Sequence, residues 1–337
     1  MMEKQQVLDA VVIGGGQAGL ATGYYLNKYK LSFVILDDQP QPGGAWQHTW
    51  PSLTLFSPSN TSNLPGWPMP YYEGFPPAAH VIDYLSAYEQ RYNLPVIRPA
   101  RVDRVEHDAG LFTVHAGERS WTARTVIAAT GTWSAPFVPA LPGRFGGKQW
   151  HTVTYPGPEA FEGASVAVVG GANSGAQIAA ELLLDDRVGE VTWYTRGTPK
   201  WMPDDVDGRV LFIRNRERML AMQRGEPDPG ADRELGDIVM VPEVLRARDE
   251  AGLRGTPMFS SLDEVKSDHL IWATGFRPAL GPFRKLLRRK NSSDSWEASV
   301  PGLILVGYGT WTGPGSATIT GVSPYAKQAA IAARERS

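Results

Sequence analysis

The stretch VLDAVVIGGGQAGLATGYYL, residues 7–26, decides the fold. Val7 to Ile13 is a nearly continuous apolar run, as a strand buried on both faces of a parallel sheet requires. Gly14-Gly15-Gly16-Gln17-Ala18-Gly19 follows with the spacing Gly-x-Gly-x-x-Gly, and Leu20, Tyr24 and Leu26 then lie on one helix face. Gly14 permits a tight turn, Gly16 lets a pyrophosphate approach the backbone, and Gly19 lets the helix pack on its strand. The first helical N–H groups, from Gln17 and Ala18 onward, have no intrahelical acceptor and attract anions. Phe33 to Leu36 reads as the next buried strand and ends on Asp37 and Asp38. A carboxylate there accepts hydrogen bonds from a ribose with a free 2′-hydroxyl, and Asp37 is preferred over its neighbour. A Gly-rich turn beside an incidental acid is the bland alternative, disfavoured by the strand–turn–helix–strand context.

The pattern returns in the middle of the chain. SVAVVGGANSGAQIAAELLL, residues 165–184, gives a strand at Val166 to Val169, a turn at Gly170 to Gly175 and a helix at Ala176 to Leu184. The turn is a degraded match, with Ala172 where the middle glycine stands; Gly170, Asn173, Ser174 and Gly175 complete it. One extra methyl crowds the pyrophosphate slightly, which suits a cofactor that comes and goes. The second strand, Glu190 to Thr195, ends on Arg196 instead of an acid, with Gly197, Thr198 and Lys200 beside it. A guanidinium at that position fits a 2′-phosphate through charge-assisted hydrogen bonds, which points to NADP. A solvated surface arginine is the bland alternative. An acid on the first unit and a base on the second match FAD and NADPH respectively.

The expected fold class is therefore α/β, with two Rossmann-like dinucleotide-binding domains, the smaller NADP domain inserted into the FAD domain. Domain limits are placed at 1–156 and 276–337 for the FAD-binding part and 157–275 for the NAD(P)H-binding part. Residues 101–129 read as an antiparallel meander with a turn at Asp108-Ala109-Gly110. Residues 209–255 read as charged and helical, with a break around Gly225 to Gly236, and a last helix is expected from Ser316.

Composition narrows the chemistry. The 337 residues suit two domains, and 20% charged with 42% apolar residues describe a globular protein. A net charge of -2 gives no reason to expect a nucleic-acid partner. The apolar runs are only strand-length and no signal-peptide pattern opens the sequence, so no membrane partner and a cytoplasmic location are expected. With no cysteine there is no disulfide framework, thiolate metal site or CxxC pair, and redox chemistry falls to a bound organic cofactor or a metal. The six histidines show no metal-ligand spacing, so no metal is expected.

Other segments keep two readings. Ala129-Thr130-Gly131 and Ala273-Thr274-Gly275 stand where the chain crosses between domains, as hinges or as ordinary strand exits. Gly307 to Gly315 precedes the last helix, whose N-terminus suits the pyrimidine end of a flavin; a loop capped by Ser316 is the alternative. The segment 43–77 carries Trp46, Trp50, Phe56, Trp67, Tyr71, Tyr72 and Phe75, either walling a flavin and an apolar substrate or forming a satellite core. Arg284 to Lys290 reads as a solvated basic helix face.

Between the two units lies Phe145-Gly146-Gly147-Lys148-Gln149-Trp150-His151-Thr152-Val153-Thr154-Tyr155. Phe145, Gly147, His151 and Tyr155 match FxGxxxHxxx(Y/F), and the segment resembles the identifying motif of bacterial flavin-containing monooxygenases (class B flavoprotein monooxygenases). Together with Gly43-Gly44-Ala45-Trp46 and Ala273-Thr274-Gly275-Phe276, the resemblance runs along essentially the whole chain. It implies FAD, NADPH and O2 as reactants, with NADH accepted as well. Oxygen adds at C4a of the reduced flavin, and the resulting peroxyflavin, shielded by NADP⁺, oxygenates sulfides, amines and also ketones. No side chain is assigned to catalysis, and His151 is carried over as a structural residue of the linking segment. The candidate FAD set becomes Gly14, Gly16, Gln17, Ala18, Gly19, Asp37, Gly44, Trp46, Thr130, Gly131, Gly307 and Thr318. The NADP set becomes Gly170, Ala172, Asn173, Ser174, Gly175, Arg196, Ala273, Thr274 and Gly275. The resemblance also implies a homodimer. An NADPH-dependent reductase of ferredoxin or quinone, without oxygenation, is the rival reading.

Overall fold

The computed structural model describes residues 6–206, 208–227, 229, 236–290 and 295–337. The chain forms two compact units, each interrupted in sequence. The first contains the residues through Gln47, Pro58–Thr132 and Pro278–Ser337; the second contains His48–Ser57 and Trp133–Arg277.

The first unit is built on β1 (Val7–Ile13), whose last four residues are fully or almost fully buried. It lies between β2 (Phe33–Leu36) and β6 (Arg119–Ala128), parallel to both, in register Ala10 to Phe33 and Ala10 to Thr125. Helix α1 (Gln17–Lys28) links β1 to β2, and β3 (Val96–Ile97) extends the sheet beyond β2. The expected meander is present as β4 (Arg104–Asp108), β5 (Leu111–Ala116) and β6. Its turn puts Ala109 and Gly110 at φ 46° and 81°, the doubly positive geometry that matches the twist of a tight hairpin. β6 serves three neighbours: its first half pairs antiparallel with β5, and Val126–Ala128 pair with both β1 and β14 (Leu303–Leu305). Helix α2 (Ala78–Arg91), not anticipated above, buries Val81, Tyr84, Leu85 and Tyr88 at helical spacing. Each such side chain contributes roughly 1.5–3 kcal/mol of burial.

The second unit has a five-stranded, wholly parallel sheet in the order β10 (Gly255–Pro257), β9 (Val191–Thr195), β8 (Val166–Val169), β11 (His269–Trp272), β7 (Lys148–His151). All four residues of β8 are buried, which explains its unbroken apolar sequence. Helix α3 (Asn173–Leu183) follows the second glycine turn. Helices α4 (Gly208–Gln223) and α5 (Pro242–Asp249) occupy the stretch expected to be helical. Residues 228 and 230–235, within the break expected around Gly225 to Gly236, lie outside the described residues.

Three expectations need correction. The limits at 156/157 and 275/276 give way to 132/133 and 277/278, because β7 pairs in parallel with β11 and carries the 145–155 motif into the second unit. The last helix, α6 (Ser323–Arg334), starts seven residues after Ser316. Gly313 and Gly315, at φ 125° and 70°, break the path there, and Ser316 is buried with its hydroxyl on the Gly309 carbonyl at 2.8 Å. The basic run is not a helix face: it crosses a 3-10 segment, Gly281–Leu286, and enters the separate antiparallel pair of β12 (Leu287–Arg289) and β13 (Trp296–Ala298). Among the described residues no helix is long and apolar enough to cross a membrane.

Candidate cofactor-binding sites

In the first turn three of the four glycines, Gly14, Gly16 and Gly19, answer to different neighbours. A Cβ on Gly14 would lie 2.2 Å from the Ala129 carbonyl oxygen, and one on Gly19 would lie 1.8 Å from that of Gly14. These two are glycine because the protein's own backbone fills the space. Around Gly16 the space is open: the nearest atom to a Cβ there is the Gly44 Cα, at 3.8 Å. Packing within the chain gives no reason for glycine at 16, whereas a ligand lying on the backbone does. Gly16 is also the N-cap of α1, with no capping side chain and no acid in the first turn. The first N–H groups of α1 are thus left to an anion.

Gln17 ties three candidate segments together. Its amide Nε2 donates to the Ala317 carbonyl, and its Oε1 accepts from the Trp46 indole at 3.3 Å. Gly44, at φ 54°, could not carry a Cβ without meeting the Gly16 Cα at 2.7 Å. Gly307, at φ 87°, sits against Ala18 in the same way, with 2.8 Å between their Cβ positions. The structure therefore brings Gly14 to Gly19, Gly44, Trp46 and Gly307 into one place. Thr130 and Thr318 belong to the same unit, but their hydroxyls are engaged by main chain. Thr130 Oγ1 donates to the Ala279 carbonyl at 2.8 Å, and Thr318 Oγ1 to that of Gly315 at 2.8 Å. Gly131 follows at φ 64°.

Asp37 is 3% exposed and accepts from Arg98 Nε at 2.8 Å and from the Gly15 backbone N–H. Arg98 in turn grips both oxygens of Glu89 at 2.7 Å. Burial pushes the Asp37 carboxyl above its usual range even against the adjacent guanidinium. Asp38 is exposed and accepts from the Gln39 amide at 2.6 Å. Arg98 and Glu89 went unnoticed in the sequence, since nothing local marks an arginine 61 positions from its acid.

The second turn repeats the steric logic. A Cβ on Gly170 would meet the Ala273 carbonyl oxygen at 2.2 Å, and one on Gly175 would meet that of Gly170 at 2.0 Å. Ala172 caps α3 without a side-chain hydrogen bond, and Asn173 Oδ1 accepts the Val239 N–H at 2.8 Å. A cavity of about 610 Å³ opens over this turn. Gly170, Ala172, Asn173, Ser174, Arg196, Ala273, Thr274 and Gly275 all line it, as do Thr152, Thr198, Lys200 and Asp237. Gly175 lies beneath, packed on its neighbours. Arg196 and Lys200 are exposed, and neither side chain has an ion-pair partner among the described residues.

The 145–155 motif borders the same cavity. Gly147 leaves room for the Asp268 carbonyl oxygen, which a Cβ would approach to 2.1 Å, and Phe145 packs in the core beside Leu270. His151 ends β7; its Nδ1 accepts from the Val153 N–H at 3.4 Å, so its Nε2 donates to the Gly275 carbonyl at 3.2 Å. Burial holds this imidazole below its ordinary pKa, in the neutral form both contacts need. Tyr155 is 2% exposed and donates to Glu181 at 3.1 Å, a carboxyl raised by burial and also bonded by Ser52. The aromatic segment divides: Trp50 and Phe56 pack into the core of the second unit, and Trp67 lies 5.3 Å from the Tyr84 ring in the first. Tyr71 is 82% exposed.

Two dinucleotide cradles, one tipped by a buried acid and one by exposed cations, define a flavoprotein oxidoreductase that works with a nicotinamide cofactor. A model of the pyridine nucleotide-disulphide oxidoreductase family matches residues 11–299. The chain belongs to that family, and within it to the bacterial flavin monooxygenases, with FAD and NADPH as cofactors. It is 43% identical to a flavin-containing monooxygenase from Stenotrophomonas maltophilia, covering 98% of this chain and 99% of that one at a TM-score of 0.84. It is 31% identical to an uncharacterized CzcO-like oxidoreductase from Geobacillus kaustophilus, over 81% of each chain. A structure of OTEMO in complex with FAD and NADP, 16% identical with a TM-score of 0.67, covers 99% of this chain and 86% of that one and shares the fold.

Proposed function

We propose that the protein uses NADPH, FAD and O2 to insert one oxygen atom into soft nucleophiles, sulfides and amines foremost, with ketones as further substrates. In the sulfide case, NADPH, a proton, O2 and the sulfide give NADP⁺, water and the sulfoxide. When bound, the flavin supplies the redox chemistry: it takes hydride from NADPH and activates O2.

The residues present suit both cofactors. Gly16 and the uncapped N-terminus of α1 would receive the FAD pyrophosphate, and Asp37, held by Arg98, would accept from the adenosine ribose. Ala172 and the N-terminus of α3 would receive the NADPH pyrophosphate more loosely, and Arg196 would pair with the 2′-phosphate. His151 moves no proton in this reading: both ring nitrogens are engaged, and it holds the Gly275 carbonyl on the cavity wall.

The observation that favours oxygenation is the intact 145–155 motif bordering the nicotinamide cradle of a chain without cysteine. Thiol–disulfide exchange, the chemistry in the family's name, needs a thiolate this chain cannot provide. The test is thioanisole turnover under isotopically heavy O2. One heavy oxygen per sulfoxide and one NADPH consumed per product are expected. NADPH oxidation with peroxide as the sole oxygen product, or rapid reduction of a quinone or ferredoxin instead, would establish the reductase reading.

A further inference from the structure

The first unit contains a buried hydroxyl that no feature of the sequence singled out. Tyr308 follows Gly307 and is 5% exposed, in the core beside Val126 and Leu303. Its hydroxyl lies 2.6 Å from Thr130 Oγ1 and accepts the Thr130 backbone N–H at 3.2 Å. Thr130 Oγ1 has one proton, and that proton goes to the Ala279 carbonyl at 2.8 Å. The direction of the chain is thereby fixed: Tyr308 O–H donates to Thr130 Oγ1, and Thr130 O–H donates to Ala279. The tyrosine hydroxyl makes two bonds in a fully buried position, and burial raises its pKa to about 12, so it remains a donor.

The same residue is tied from its backbone. Tyr308 N–H donates to Thr312 Oγ1 at 3.0 Å, Thr312 shares a 2.7 Å hydrogen bond with Ser316 Oγ, and Ser316 reaches back to the Gly309 carbonyl. The paired hydroxyls of Tyr308 and Thr130 thus join three separate segments: the turn at Ala129-Thr130-Gly131, the return of the chain at Ala279, and the glycine-rich loop 307–318. Two of these three carry candidate FAD residues, Thr130 and Gly131 on the one and Gly307 and Thr318 on the other. The third is linked again to the turn through the Ala279 N–H, which donates to Gly131 at 2.9 Å.

We infer that Tyr308 is a positioning residue for the flavin: its hydroxyl sets the Thr130–Gly131 turn and locks it to the Gly307 loop. Phenylalanine would fill the same space and lose only the bonds, so the role belongs to one oxygen atom. The inference rests on the reading of these segments as FAD contacts, and its test separates the two.

The experiment measures the FAD dissociation constant and the flavin release rate of the purified holoenzyme by flavin fluorescence. Tyr308→Phe should weaken FAD binding about tenfold, the typical worth of a buried hydrogen bond with an unpaired partner left behind. Thr130→Val should do the same, Thr130→Ser should retain the parent value, and the Tyr308→Phe/Thr130→Val pair should fall clearly short of the sum of the two single effects, because the bond the two hydroxyls share is lost only once. If Tyr308→Phe does not fold, the Thr130→Val and Thr130→Ser pair decides the matter alone. FAD binding within about twofold of the parent in Tyr308→Phe or Thr130→Val, or effects of the two that simply add, would overturn the inference. Gly16→Ala is the control: it intrudes on the open cradle and spares the hydroxyl chain. Unchanged FAD binding in Gly16→Ala would instead overturn the reading of the site itself.

Discussion

The two glycine turns share one steric design and differ in what surrounds them. At Gly14–Gly19 the strand-end acid is buried and bonded by Arg98, which Glu89 holds in turn, while Gly44 and Gly307 pack against the turn at Gly16 and Ala18. At Gly170–Gly175 the middle position carries a methyl, and the strand-end cation is exposed beside an open cavity, with no ion-pair partner among the described residues. A site assembled from distant segments and held by a buried ion network suits a resident cofactor. A site left open, with cations waiting, suits one that arrives charged and departs after each turnover. The difference is a matter of preorganisation, not of motif.

Removing the clamp should have the largest effect. Arg98→Leu leaves two carboxylates, Asp37 and Glu89, with an unpaired charge in the interior, at a cost of about 3–5 kcal/mol. Urea unfolding should show that loss for Arg98→Leu, while Arg196→Leu stays within about 0.5 kcal/mol of the parent. Equal stability of the two variants would remove the contrast between the turns.

Arg196→Ala should lower kcat/KM for NADPH by about 1.5–3 kcal/mol and leave NADH nearly untouched, which steady-state rates with both cofactors measure. Equal losses would place Arg196 away from the 2′-phosphate. A smaller effect is expected from swapping the middle residues. Gly16→Ala should weaken FAD retention by about 1–3 kcal/mol through crowding, without loss of apoprotein stability. Ala172→Gly should tighten NADPH binding by less than that.

The smallest effect is set by pH. His151 is held below its ordinary value of 6.5 by burial, so the folded protein resists a proton that the unfolded chain accepts. The stabilisation is complete above pH 6.5 and is lost as the pH falls through the lower, folded value. His269 is shifted in the same direction, again by burial. The urea midpoint should therefore decline on acidification below 6.5, and less steeply in His151→Gln. An identical slope in that variant would clear His151 of the effect.

Much of this contrast was legible in the sequence because its causes are local. Strand burial writes an unbroken apolar run, a turn against a carbonyl demands glycine, and the residue ending a strand sits beside the turn it follows. Long-range causes left no such trace. Arg98 meets Asp37 only through the fold, as Tyr308 meets Thr130 and as Ser52 and Tyr155 meet Glu181. The unit boundary was misplaced for the same reason: β7 has the sequence of a connector and joins the second sheet only by pairing with β11. The start of α6 was misjudged because Ser316 has the chemistry of a cap, whereas its hydroxyl is held by Gly309 within the preceding loop. Gly16 and Gly14 look alike in the sequence, since only the space around each tells a ligand's glycine from a packing one.

We propose that the first cradle keeps FAD and the second admits NADPH. Anaerobic titration of the purified protein with NADPH tests it most directly. The expected result is a yellow protein carrying one FAD per chain, whose visible absorbance is bleached by about one equivalent of NADPH. A colourless protein that takes up no added FAD, or a flavin that NADPH leaves oxidised, would contradict it.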